Sequence, residues 1–307
     1  MTETIIGILL ATLGAGTPLV FAALGELVTE KSGVLNLGVE GMMLMGAVCG
    51  FAVAAESGSM WLGVLVAMLA GAGMAFLFGI LTLTFQANQV ASGLALTIFG
   101  IGTSAYIGLD YTSVTLPGIE NVHLPVLSDI PVIGRLLFSL DPLIYLSFVM
   151  FGAISWFLYR TKAGLILRAV GEAPDSAVSL GHHVIAIRYA AVLFGGAMAG
   201  LGGAYLAIVY TPLWVEEMTA GRGWIALALV VFATWRPARV MAGAYLFGGV
   251  TIIQFHVQGF GVDIPSQLLS TLPYLATIVV LVLISRDINT IRLNAPASLG
   301  KPYHPDV

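Results

Sequence analysis

Few side chains in this sequence could do chemistry, because polar residues are scarce and lie among long apolar runs. Asn36 and Glu40 stand four residues apart, so a helix that begins near Asn36 would carry both on one face. A carboxylate one turn or more into a membrane helix costs about 2.5–3.5 kcal/mol, so it normally faces protein or water. Glu40 therefore either lines a polar transport path with Asn36, or lies near the cytoplasmic interface and either snorkels or caps a neighbouring helix.

A second polar pair, Asn88 and Gln89, opens a later apolar run at Gln86-Ala87-Asn88-Gln89. Asn88 is a suitable N-cap for a helix that starts there. Amide side chains in a gap between broken helices could instead bind a polar solute. The residues themselves leave both alternatives open.

Enzyme chemistry finds no support in the residues. The GxxxxGK[ST] loop that binds nucleotide phosphates is absent, and no Ser/His/Asp or paired-carboxylate arrangement lies in a plausible pocket. His182 and His183 are adjacent, so on a helix they point about 100° apart and form a poor metal pair. We predict no catalytic residue, no metal site and no cofactor bound to this chain.

The composition identifies an integral membrane protein. The chain is 58% hydrophobic and 9% charged, with a mean hydropathy of +0.98, whereas soluble domains carry about 25% charged residues. The apolar runs have the length of about 20 residues that a helix needs to cross the bilayer. The alternating pattern of a membrane β-barrel is absent. The expected partner of most of the surface is lipid, and no nucleic acid is expected.

We predict an all-α bundle of about nine membrane helices in a single domain, residues 1–307. The predicted spans are 4–25, 37–55, 60–85, 90–108, 141–159, 184–209, 220–236, 240–257 and 269–285. Alternation then places the N-terminus outside, and the C-terminus with the short tail 286–307 in the cytoplasm. All of the 12 basic residues except Arg135 and Arg222 would be cytoplasmic, in accord with the positive-inside rule.

One predicted crossing is short. Residues 223–234 would cover only about 18 Å as a helix, so Thr219–Arg222 must help to reach across. The helix predicted over 184–209 repeats small residues at a spacing of four, as at Gly196 and Gly200. Such spacing allows helix backbones to approach closely, which predicts a central position in the bundle.

The polar segment Arg160–His183 separates two of these apolar runs. Within it, Glu172-Ala173-Pro174-Asp175 is typical of a helix start, because proline is tolerated in the first turn and acidic residues complement the helix dipole. Gly181 is a typical C-terminal stop. The segment therefore predicts a short helix outside the membrane.

Three blocks of this sequence resemble a known family: GELVTEKSGVLNLGVEGMMLMGA, NQVASGLALTIFG, and LRAVGEAPDSAVSLG followed by GGAMAGLGGAYLA. They are similar to the permease subunits of bacterial ABC importers in the branched-chain amino acid/ribose permease superfamily, most closely the nucleoside and simple-sugar branch. The similarity runs from about Thr12 to Ile284. It implies a type II importer in the bacterial cytoplasmic membrane, with two permeases, two cytoplasmic ATPase domains and an extracytoplasmic substrate-binding lipoprotein.

The resemblance also implies roles for residues. The matches to the cytoplasmic loop that docks on the ATPase are Gly171, Glu172, Pro174, Asp175, Ala177 and Gly181. The family often has Asn-Pro where this chain has Ala173-Pro174. ATP and Mg²⁺ would bind in the ATPase, and the second permease is expected to be a different chain.

By resemblance alone the expected substrate is a nucleoside, with a simple sugar, a nucleobase or a riboflavin-like molecule as alternatives. Asn36, Glu40, Asn88 and Gln89 are the candidates for the translocation path. A self-sufficient secondary transporter is the alternative class of protein. Such transporters usually need buried acids to couple to ions, and Glu40 and Glu26 are the candidates here.

Overall fold

The computed structural model describes residues 2–123, 125, 128, 130, 133–259, 271–272, 275–276, 278–279, 282 and 294–304. Within these ranges the regular structure is helical. In chain order the helices are α1 (Thr2–Lys31), α2 (Val39–Ser57), α3 (Met60–Gly79, continued by a π-helical turn Ile80–Thr84), α4 (Gln89–Gly108, continued by a 3-10 turn Leu109–Tyr111), α5 (Ile133–Leu137), α6 (Pro142–Arg160), α7 (Lys162–Glu172), α8 (Pro174–Ser179), α9 (Val184–Ala204, continued by a π-helical turn Tyr205–Tyr210), α10 (Arg222–Phe232) and α11 (Pro237–Gly259).

The chain is a multi-pass membrane protein, as predicted. Seven of the described helices are long and apolar enough to cross a membrane, namely α1, α2, α3, α4, α6, α9 and α11 with their terminal turns. The predicted span 269–285 and the start of the tail 286–307 fall largely outside the described residues.

The central helix is α9, as its small residues predicted. A Cβ at Gly200 would lie 2.1 Å from the carbonyl oxygen of Ala67 in α3, and one at Gly203 would lie 2.0 Å from that of Met43 in α2. On another face, Gly195 approaches Thr29 of α1. Side chains larger than hydrogen would therefore separate α9 from three neighbouring helices.

The first helix is longer than predicted, because it ends at Lys31 and not near residue 25. Two acidic residues beyond the predicted end are buried in its last turns: Glu26 is 1% exposed and Glu30 is fully buried. Each carboxylate accepts a hydrogen bond from elsewhere in the chain, Glu26 from the backbone N–H of Asn36 and Glu30 from the indole N–H of Trp235. These partners make burial of the two acids possible.

The prediction that Asn36 and Glu40 share a helix face is wrong. Helix α2 begins at Val39, and Asn36 lies in the turn before it. The side-chain oxygen of Asn36 accepts the backbone N–H of Gly38 at 2.9 Å. Such a local bond competes with helix formation, which is why asparagine favours turns and caps.

The short seventh crossing is made by a broken element. At its start Leu213 pairs with Thr115, beside the end of α4. The chain then stays non-helical until α10 begins at Arg222, and α10 is 11 residues, or about 16 Å, long. Beyond it, Trp235 reaches Glu30 at the end of α1. The crossing therefore runs from about Leu213 to Trp235, and the predicted span 220–236 covers only its second, helical half.

The carboxylate of Glu40 caps this half-helix. It accepts the backbone N–H groups of Gly221 at 2.8 Å and Gly223 at 2.6 Å, and the hydroxyl of Thr219. Glu40 is only 5% exposed. Of the two alternatives for Glu40, capping of a neighbouring helix is the one found.

The cap lies midway along the bundle and not at an interface. The residue after Glu40, Gly41, touches Gly100 of α4, about 16 Å along α4 from its first residue. Arg222, which follows the capped turn, therefore also lies at mid-depth. The prediction of an outer position for Arg222 is wrong for this reason, and its guanidinium donates to the carbonyl oxygens of Met218 and Thr219.

We expect Glu40→Ala to destabilise the protein by about 2–3 kcal/mol, because it leaves buried N–H groups without an acceptor. Glu40→Gln keeps an acceptor oxygen and should lose less. The measurement is the midpoint of unfolding in detergent. Glu56→Ala is the control, since Glu56 is exposed and bonds only the hydroxyl of Tyr111 among the described contacts. Equal midpoints for wild type and Glu40→Ala would contradict a stabilising cap.

Candidate functional site

The predicted short helix is present as α8, and its ends are those that the sequence indicated. Pro174 occupies the first turn. At the other end Gly181 has φ +85°, in the left-handed region. The N–H of Gly181 bonds the carbonyl of Val178 at 2.8 Å, and that of His182 bonds the carbonyl of Ala177 at 3.0 Å. These two bonds form a Schellman motif, which satisfies carbonyls at the helix end.

The residues predicted to act here fall into two groups. Gly171 and Ala177 hold the segment against the bundle: a Cβ at Gly171 would lie 2.2 Å from the carbonyl oxygen of Lys31, and Ala177 is 1% exposed in a cluster with Val170 and Val184. The other four predicted residues remain accessible: Glu172, Asp175 and Gly181 are exposed, and Pro174 is half-buried. The segment is thus fixed on one side and open on the other.

Two apolar side chains on the open side were not among the predicted site residues. Leu180 is 76% exposed and Val178 is 47% exposed. Both lie outside the membrane-spanning helices, so lipid chains are not their expected neighbours. The sequence could have indicated Val178 and Leu180 by their apolar character, since most of residues 172–183 are polar or small.

The C-terminal residues Asn294–His304, here called the strap, lie across the same end of the bundle. Ser298 donates its backbone N–H to the carbonyl of Gly171 at 3.0 Å and its hydroxyl to the same oxygen at 2.6 Å. Farther along, the side chain of Gln89 donates to the carbonyl of Lys301 at 3.4 Å. A cleft of about 540 Å³ separates the strap from the start of α8. The sequence predicted only a short polar tail.

A buried arginine joins the strap to the bundle. Arg188, in the second turn of α9, is 1% exposed. Its Nε donates to the carbonyl of Ser32 at 3.1 Å, and its Nη2 to the hydroxyl of Ser298 at 3.0 Å. The guanidinium lies over the ring of Tyr303 at 5.5 Å. Nη1 is buried, and none of the residues that the structure describes forms a hydrogen bond with it.

The four candidates for the translocation path all have partners within the chain. Asn88 caps α4 by accepting the N–H of Ala91 at 3.0 Å, which is the first of its two alternatives. Gln89 accepts the N–H of Leu35 at 2.8 Å. Asn36 and Glu40 make the contacts described above. Together these side chains fix residues 32–38, the start of α4 and the start of α10.

The non-helical part of the broken crossing has an open surface. Glu216 and Glu217 are exposed there, beside the exposed apolar side chains of Leu213 and Val215. The two acids lie between Trp214, which packs against Gly108 near the end of α4, and the mid-depth cap at Glu40. Non-helical backbone at membrane depth occurs where protein covers it or where it lines water. Neither acid was among the residues predicted for the translocation path.

Comparison with known proteins agrees with the resemblance noted in the sequence. The family described as the permease component of branched-chain amino acid transport systems matches residues 8–284. No solved structure matches the chain.

Three relatives are similar over most of their length. A protein of Haloferax volcanii, provisionally named a glucose ABC transporter permease, is 39% identical over 97% of each chain. The guanosine ABC transporter permease of Bacillus subtilis is 33% identical over 95% of each chain. The nucleoside ABC transporter permease of Lactococcus lactis is 34% identical over 87% of this chain and 88% of the relative. The chain therefore belongs to this family of ABC transporter permeases, the membrane components of such transporters and not their catalytic subunits.

Proposed function

We propose that this chain forms the membrane path of an ATP-driven importer for a neutral, hydroxyl-bearing solute, with a nucleoside as the first candidate. Two of the relatives named above carry nucleosides in their names. A simple sugar is the second candidate, because the relative at 39% identity is named for glucose. Ribose and glucose share the hydroxyl groups that polar side chains recognise.

The proposed partners are a cytoplasmic ABC ATPase, a second permease chain and an extracytoplasmic substrate-binding lipoprotein. This chain has no GxxxxGK[ST] loop, so ATP and Mg²⁺ belong to the ATPase. The end of the bundle that holds α7, α8 and the strap faces the cytoplasm. This orientation is supported by the basic residues at that end, which include Lys31, Arg168 and Arg188.

The observation that carries the proposal is the fixed, half-open segment around α8. Gly171 and Ala177 are packed against the bundle, while Val178 and Leu180 present apolar surface outside the membrane helices. A short helix with a few apolar anchors suits insertion into a groove of another protein. We assign that groove to the ATPase, so that movement of the ATPase displaces α7, α8 and α9 together.

The solute passes beside the broken crossing in this proposal. The exposed acids Glu216 and Glu217 support a water-lined surface there. Glu40 acts indirectly, since its carboxylate holds the start of α10 and has its hydrogen bonds filled by the chain. Asn36, Asn88 and Gln89 likewise shape the path without contacting solute.

Uptake by the reconstituted complex tests the substrate and the energy source. Proteoliposomes that contain this chain, its ATPase and the second permease, supplied with the binding protein, should accumulate labelled guanosine or labelled glucose only when ATP is inside. An ATPase variant that cannot hydrolyse ATP is the control. Uptake that needs no ATP and follows an ion gradient would favour the secondary-transporter alternative and contradict the proposal.

Substitution of Gly181 tests the role of α8. A side chain is disfavoured at φ +85° by about 1–2 kcal/mol, although no neighbour lies within 4 Å of its Cβ position. Gly181→Ala should therefore weaken ATP-driven uptake, and Gly181→Val, with a β-branched side chain, should weaken it more. Gly58→Ala is the matched control, because Gly58 ends α2 with φ +71° and equally open surroundings. Wild-type uptake with Gly181→Val would show that this helix end is not needed for coupling.

A further inference from the structure

We propose that the strap and Arg188 form a second mechanical link, which transmits displacement of α7 and α8 to the loop and half-helix beside the transport path. The inference rests on the proposed function, because it assumes that the ATPase acts on α8. Its residues are positioning residues: they touch neither ATP nor solute. Three groups of contacts carry it.

The first group joins the strap to α7. Two hydrogen bonds from Ser298 converge on the carbonyl oxygen of Gly171, the residue that precedes the accessible part of the segment. The N–H of Ala297 also donates to the carboxylate of Glu172 at 3.4 Å. Tyr303 packs against the cluster that anchors Ala177 of α8. A shift of α7 and α8 therefore moves the strap.

The second group joins the strap to the end of α1. Arg188 bonds Ser298 on one side and the carbonyl of Ser32 on the other. The junction is closely packed: Gly33 has φ +91°, and a Cβ there would lie 2.3 Å from the hydroxyl oxygen of Ser298. Because there is no free space between these groups, the turn after α1 follows the strap.

The third group joins the strap to the path. Gln89 donates to the carbonyl of Lys301 and accepts the N–H of Leu35, so one side chain connects the strap with residues 32–38. His304 contacts Gln86 at 2.6 Å. Residues 32–38 include Asn36, whose backbone N–H donates to Glu26, and they lead directly into Glu40, which caps α10. Displacement at α8 thus reaches the mid-depth cap through hydrogen bonds.

A rigid link would be expected to have hydrogen-bond partners for all of its buried polar groups. The link does not, because Nη1 of Arg188 is buried and has no hydrogen-bond partner among the described residues, and the described strap has little helix of its own. An unpaired buried donor is costly. We therefore assign these contacts of Arg188 to one of two alternative states of the link. In the other state Arg188 would exchange partners as the strap moves.

Ser298→Ala tests the link, since it removes the hydroxyl bond to Gly171 and the acceptor for Arg188, while the backbone N–H bond to Gly171 remains. In the complete complex in proteoliposomes, solute transported per ATP hydrolysed should fall at least about fivefold, the lower end of the range for the loss of two hydrogen bonds. Basal ATP hydrolysis and assembly of the complex should stay within about twofold of wild type. Ser104→Ala is the control: Ser104 is equally buried and bonds only Ile101 of its own helix among the described contacts.

Gln86→Gly is a second variant at the far end of the link. It removes the partner of His304 at a residue with φ +57°, which glycine tolerates. Transport per ATP should fall in the same direction, by a smaller factor. If Ser298→Ala prevents assembly, this surface variant decides the question.

Equal transport per ATP in wild type, Ser298→Ala and Gln86→Gly would overturn the link. So would losses of transport that match losses of assembled complex in both variants, since the strap would then only stabilise the fold. These results differ from a failure of the proposed function, in which wild-type complex itself shows no ATP-driven uptake. Arg188→Lys combined with Ser298→Ala should lose less than the sum of the two single losses, because the two residues share one contact.

Discussion

The hydrogen bonds of Glu40 are the contact on which the membrane part of the structure depends. In hydrocarbon, every break in a helix exposes backbone groups that water cannot satisfy. This chain breaks one crossing at mid-depth and satisfies the exposed N–H groups of Gly221 and Gly223 with a single carboxylate from α2. The broken crossing and the position of α2 therefore fix each other.

The same requirement explains the polar side chains at the end of α1. Glu26 receives the N–H of Asn36, and Glu30 receives the indole of Trp235. These contacts tie the loop before α2 to α1 and tie the end of the broken crossing to the same helix. Through Arg188 and the strap, the loop is also joined to the segment around α8. The end that we propose to face the ATPase and the proposed path are thus parts of one hydrogen-bonded structure.

Local chemistry made some of this predictable from the sequence. Pro174 and Gly181 define the ends of α8 because their backbone preferences act without help from the rest of the chain, and the glycines of α9 indicated its central position in the same way. Asn36 was placed wrongly on a helix because a side-chain bond to the next turn outweighed helix periodicity. The contact of Arg188 with Ser298 spans 110 residues, and no spacing rule along the sequence indicates such a pair. The role of Glu40 could be limited to two alternatives, but the sequence did not indicate that α10 is the helix that it caps.

Cross-linking between α8 and the ATPase is the most direct test of the proposed coupling. A photo-reactive amino acid at Leu180, which is 76% exposed, should cross-link to the ATPase chain in the purified complex, with the product identified by mass spectrometry. The same amino acid at Leu137, 56% exposed in α5 near the other end of the bundle, should give no ATPase product. We expect the ATPase to be cross-linked from position Leu180 and not from position Leu137. Capture from Leu137, or from neither position in a complex that hydrolyses ATP, would contradict it.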